Sequence, residues 1–92
     1  MDLIEKEFRN KAIIRGGTYL FKASDAIDVV NKCKELQLSI IGVDSFEIVG
    51  KTIQPKEIFD CSNVNKENWE NAIRFIQETF NQGLVFEVVY DS

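Results

Sequence analysis

A chain of 92 residues and 10.6 kDa has room for one hydrophobic core, which excludes a multidomain enzyme. Its 45% apolar and 28% charged residues, with one proline and five glycines, are an ordinary globular composition and exclude a disordered or collagen-like chain. Eleven basic against fifteen acidic side chains give a net charge of −4, which argues against binding by phosphate neutralisation, the main source of nucleic-acid affinity.

Residues 3–12 place Ile4, Phe8 and Ala12 at four-residue intervals, the stripe of a weak amphipathic helix that stops near Gly16-Gly17. Those glycines mark a turn, and Thr18-Tyr19-Leu20-Phe21-Lys22 after them has the composition of a short strand. Ser24 is placed to cap a helix over residues 25–36. Asp25 and Asp28 lie in its first turn, Ala26, Val29, Val30 and Cys33 form one stripe, and Lys32 and Lys34 stand near the negative end. The β-branched run at 38–43 is too continuous to face water and predicts a central strand.

From Asp44 to Ser62 the sequence is polar and punctuated. Phe46 to Val49 and Lys51 to Ile53 flank Gly50 as a small edge hairpin, Pro55 ends it, and residues 56–63 read as loop with Ile58 and Phe59 dipping towards the core. Asn65 then caps a helix over residues 66–81, whose Trp69, Ala72, Ile73, Ile76 and Phe80 keep the 3.6-residue period. Gly83 closes it, and residues 84–90 form the most strand-like run, apolar except at Glu87, for the middle of the sheet. A right-handed crossover would make the two best strands parallel neighbours. The expectation is α+β: a single domain over residues 1–92, a mixed sheet and helices packed against it.

The chain has no histidine, the usual general base and commonest metal ligand, so most hydrolase and zinc mechanisms lose their central residue. Cys33 on the helix stripe reads as a buried structural thiol. Cys61 sits beside Asp60, whose charge raises a thiol pKa and lowers its reactivity. Two cysteines without CxxC spacing read as reduced thiols, with a single disulfide as the alternative, and the charged N-terminal segment contains no signal-peptide or membrane-spanning run; both readings point to a cytoplasmic protein. Arg15-Gly16-Gly17-Thr18 lacks either phosphate-loop spacing and reads as a plain turn. No catalytic residue, cofactor or metal ligand set is expected, and the chain reads as a non-enzyme.

The charge is uneven: residues 1–34 hold seven basic and five acidic side chains, net +2, and residues 35–92 hold four and ten, net −6. Asp44, Glu47, Glu57, Asp60, Glu67 and Glu70 lie in the acidic part, interleaved with Phe46, Phe59 and Trp69. Aromatic anchors ringed by charge are what protein interfaces use. Asp44, directly after the predicted strand, is placed where loops gather into binding surfaces. Trp69 lies on the helix stripe, whereas Phe75 falls off it and is the better candidate for exposure.

Ser24 to Asn31, Cys33 to Asp44 with its Ile-Gly-Val-Asp corner, and then Asn68 to Ile73 and Leu84 to Val89, together resemble bacterial immunity proteins. In that group a capped helix runs into a strand of this type, followed by an aromatic-containing loop, a helix and a last strand. The chain is similar to the antidotes of polymorphic and contact-dependent growth-inhibition toxins and to the immunity protein of the colicin that cleaves tRNA anticodons, over about residues 17–90. Where these proteins often carry an aromatic-aromatic-acid cluster, this sequence has Ile58-Phe59-Asp60, so Phe59 and Asp60 carry over.

The resemblance implies an antitoxin that binds a cognate toxin domain encoded next to it, a nuclease with a basic cleft, and occludes its active site as a monomer or weak homodimer. Asp44, Glu47, Glu57, Asp60 and Glu70 would supply charge, and Phe46, Phe59 and Trp69 apolar anchors. An alternative is a regulatory or adaptor module that binds a protein partner through its edge hairpin by strand addition.

Overall fold

Three helices lie against one face of a five-stranded antiparallel sheet in a computed structural model that describes residues 3–60, 68–79 and 83–91. The first helix, α1, spans Leu3–Phe8 and turns through a single 3-10 turn into a three-residue strand, β1, at Ile13–Arg15. Gly16 and Gly17, at φ of 57° and 82°, supply the paired positive φ values of a tight hairpin between Arg15 and Thr18. That hairpin leads into β2, Thr18–Lys22. The sequence places only a helix before the turn, because β1 is too short for alternation to register.

Strand β2 passes into helix α2, Ala23–Glu35, without a loop. Lys22, still extended at φ −61° and ψ 160°, occupies the cap position and makes no side-chain capping bond. The expected Ser24 cap is therefore displaced: Ser24 is exposed inside the first turn. The other end of α2 closes without glycine. The Leu38 N–H donates to the Cys33 carbonyl at 2.8 Å, the Gln37 N–H donates to the Lys34 carbonyl at 3.1 Å, and Gln37 takes φ 58°. This is a Schellman stop with glutamine in the left-handed position, where a side chain costs about 1 kcal/mol. Gln37→Gly is accordingly expected to raise stability by about 1 kcal/mol, measurable by urea unfolding.

Strand β3, Ser39–Val49, and strand β4, Thr52–Asp60, form a long hairpin, so the predicted 38–43 strand runs six residues further and the predicted 56–63 loop is strand as far as Asp60. Pro55 lies within β4, opposite Phe46, rather than ending it. An edge strand tolerates this because its outer groups need no ladder partner. Helix α3, Asn68–Glu78, leads back to β5, Val85–Asp91. The predicted Asn65 cap, Cys61, Glu67 and Phe80 lie outside the described residues.

The strand order is β1-β2-β5-β3-β4, with every neighbouring pair antiparallel. The α+β class and the central place of β5 hold, but the sheet is not mixed, and β3 and β5 are not parallel neighbours. The hairpin reverses the chain before α3 returns it, so β5 enters on the far side of β3 running in the direction of β4. Parallel strands do occur across a gap: α2 joins β2 to β3 with β5 inserted between them, and α3 joins β4 to β5 with β3 between.

The core fills the space between helices and sheet. Ala26, Val29, Val30 and Cys33 of α2 and Ala72 and Ile76 of α3 meet Phe21, Ile40, Val43, Phe86 and Val88. Two bulges shape β3. At the first, Ile41 has no partner across on β5, and Gly42 brings the backbones so close that a Cβ there would lie 3.0 Å from the Phe59 carbonyl oxygen. At the second, Ser45 faces both Lys56 and Glu57. Its buried hydroxyl donates to the Glu57 carbonyl at 3.0 Å and accepts the Glu57 N–H at 2.9 Å, satisfying the backbone that the bulge takes out of the ladder. Ser45→Ala is expected to cost about 1–3 kcal/mol, the penalty for leaving two backbone groups unpaired, visible as a lower urea midpoint.

Candidate functional site

Alternation along β3 sorts the predicted binding residues. Val43 and Ser45 are buried towards the helices, so Asp44 and Phe46 point to the opposite, helix-free face. On β5 the buried Phe86 and Val88 do the same to Glu87. The register then sets Asp44 directly between Ile58 of β4 and Glu87 of β5, and Phe46 between Pro55 and Val85. Asp44 is thus inside a strand, not in a loop after one.

The open face is apolar around these acids. Ile58 is 69% exposed and Ile48 37%, and they share the face with the half-buried Phe46 and Ile53. Two half-buried carboxylates sit opposite one another in this setting, an arrangement that destabilises a sheet when no cation intervenes. Lys32 pairs with Glu7 and Glu35 at 3.5 Å each, and Lys56 with Glu47 at 3.8 Å; no ion pair among the described residues reaches Asp44 or Glu87.

Burial, and after it the charge of Asp44, holds the Glu87 carboxyl above the usual glutamate range. A folded-state value above the ordinary one of about 4.3 means that protonation favours the folded chain. That stability is fully present below the ordinary value and is lost as pH rises through the raised one. Glu87→Gln, neutral at every pH, is expected to unfold at higher temperature than the parent at neutral pH and to lose this advantage in mild acid, as thermal melts at the two pH values would read.

Of the remaining predicted residues, Asp60 shares the open face, opposite Gly42 and two residues along β4 from Ile58, and the others do not join Asp44 and Phe46 there. Phe59 turns to the helix side, where its ring stacks on Phe75 at 5.6 Å and 19°, and Phe75 meets Phe86 edge-on at 6.3 Å. Phe75, expected to be exposed, is half-buried as the middle ring of this ladder. Trp69 packs against the core and its ring N–H donates to the Leu38 carbonyl at 2.7 Å; beside it the Asn68 side-chain amide donates to the Ile40 carbonyl at 3.3 Å. Both side chains tie the start of α3 to the start of β3. Glu47 is half-buried and paired with Lys56. Glu57 and Asp60 are exposed along the edge strand, and Glu70 is exposed in the first turn of α3.

Glu87 is the residue that sequence reasoning passed over. Its signal was present, as the single charge in an otherwise apolar strand, but its partner Asp44 becomes visible only through the β3–β5 register. Among the described residues, no helix is long and apolar enough to cross a membrane, and no cluster of three His, Cys, Asp or Glu is placed to hold a metal ion. No family model, curated protein or solved structure matches this chain.

Proposed function

We propose that this protein is a non-catalytic, cytoplasmic antitoxin of the immunity type, which binds a basic protein partner through the open face of its sheet. The observation that carries this reading is the Asp44–Glu87 pair, two adjacent carboxylates that no ion pair among the described residues reaches, set among exposed and half-buried apolar side chains. A lysine or arginine from a partner would supply the missing charge, while Phe46, Ile48 and Ile58 would supply apolar contact. The resemblance of the Ile40 to Asp44 segment to immunity proteins adds the identity of the partner: a toxin domain, a nuclease with a basic cleft. The −6 balance of residues 35–92 would speed the encounter.

Strand addition to the edge, the adaptor reading, has less support. Strand β4 is nine residues long and largely exposed, but Pro55, Lys56 and the bulge at Glu57 are the devices by which edge strands resist pairing. Calorimetric titration against the toxin domain encoded beside this protein, at low and high salt, tests the proposal. Nanomolar binding that weakens with salt is expected. Binding indifferent to salt would favour the adaptor reading, and no heat with a correctly folded neighbour would overturn the antitoxin one.

A further inference from the structure

Strands β2 and β5 pair only at Phe21–Phe86 and Lys22–Val85. Beyond that point they part, since Thr18 to Leu20 pair with β1 while Glu87 to Asp91 pair with β3. Thr18 closes a two-residue hairpin with Arg15, so its backbone groups and those of Leu20 face β1. By the alternation of an antiparallel ladder, those of Tyr19 and Phe21 face β5. Phe86 answers Phe21, and Val88, two residues on, turns its N–H and C=O towards Tyr19 across a gap where the ladder has ended. The gap is a cleft of about 140 Å³, bordered by Ile4 and Glu5 of α1. Its floor, formed by Ile4, Phe21, Val29 and Val88, is buried and apolar, and the half-buried Tyr19 and Tyr90 flank it.

We infer that this cleft binds a small uncharged aromatic molecule, one six-membered ring bearing a hydroxyl, a ligand class that goes beyond the function proposed above and does not depend on it. Size agrees, because an apolar cavity of about 150 Å³ takes benzene. Shape and surface agree, because Tyr19, Phe21 and Tyr90 are all aromatic and ring-on-ring contact adds to the burial of area. The polar end agrees as well. A hydroxyl both donates and accepts, and the Tyr19 and Val88 backbones offer a carbonyl and an N–H at the edge of the apolar floor. A carboxylate in place of the hydroxyl is disfavoured, because no basic residue among the described ones lines the cleft and the charge would be buried without a partner. A second fused ring exceeds the space.

Titration of the full chain with phenol, benzoate and naphthol, followed by NMR, tests this. Phenol is expected to bind in the millimolar range and to shift the amides of Tyr19 and Val88, whereas benzoate and naphthol leave those two amides in place. Val88→Phe, which fills the floor, is expected to weaken the phenol response at least about tenfold, and Ile4→Ala, which shortens one wall, to admit naphthol. The comparison of the three ligands on the unaltered chain decides even where a variant does not fold. Absence of a phenol response, phenol shifts that bypass Tyr19 and Val88, benzoate or naphthol binding there as well as phenol does, or an undiminished response in folded Val88→Phe would each overturn the inference.

Discussion

Phe86→Ala is expected to destabilise the domain by about 3–5 kcal/mol, a large part of the roughly 5–15 kcal/mol available to a protein of this kind. Phe86 is fully buried on the central strand, with Phe21 opposite on β2 and Ser45 opposite on β3. Phe75 leans edge-on against it and stacks in turn on Phe59, so the ring is the foot of a ladder that runs from β5 through α3 to the edge strand. Truncation leaves a cavity at the foot and removes the aromatic contact that aligns the other two rings. A melting temperature lower by more than about 12 °C follows from the expected loss. Phe86→Leu, which keeps most of the volume, should lose less than half as much, and Phe59→Ala, at the half-buried end of the ladder, should also cost less than Phe86→Ala. Equal losses for Phe86→Ala and Phe59→Ala in urea unfolding would mean that the ladder is not anchored at β5.

The elements that the sequence makes legible are those whose burial is one-sided and regular. Ala26, Val29, Val30 and Cys33 announce α2, Ala72 and Ile76 announce α3, and the apolar run of β5 matches a strand with neighbours on both sides. The edge hairpin is obscured for identifiable reasons. In β3 the polar Ser45 points inward to hold a bulge while Phe46 points out, which inverts the pattern expected of a half-buried strand. In β4 the bulge sets Lys56 and Glu57 against a single partner, breaking the two-residue period, and Pro55 supplies a false stop. The strand directions are a long-range property that no local pattern encodes. For the candidate site, Asp44 and Phe46 were identifiable as an acid beside an aromatic. Phe59 and Trp69 carry the same composition yet serve the core, because burial of an aromatic depends on which face a strand or helix turns inward.

Asp44→Lys is expected to move stability and binding in opposite directions. In the free chain the lysine faces Glu87 across the β3–β5 register and turns a like-charge contact into an opposite-charge pair, worth about 0.2–1 kcal/mol of added stability. In the proposed complex the same lysine would meet a basic partner, and like charges brought together at an interface cost several kcal/mol, a loss of affinity of about a hundredfold or more. Thermal melts and calorimetric titration of the one variant read the two signs separately. A residue kept for folding would lose stability on substitution; a residue kept for binding at the expense of folding gains it. The double variant Asp44→Lys, Glu87→Lys sharpens the distinction, because it restores a like-charge pair of the other sign. Stability should fall back towards that of the parent chain while binding stays lost, since the proposed basic partner would then face two positive charges in place of two negative ones. If Asp44→Lys left affinity unchanged, the open face would not be the surface that meets the partner, whatever it did to the melting temperature.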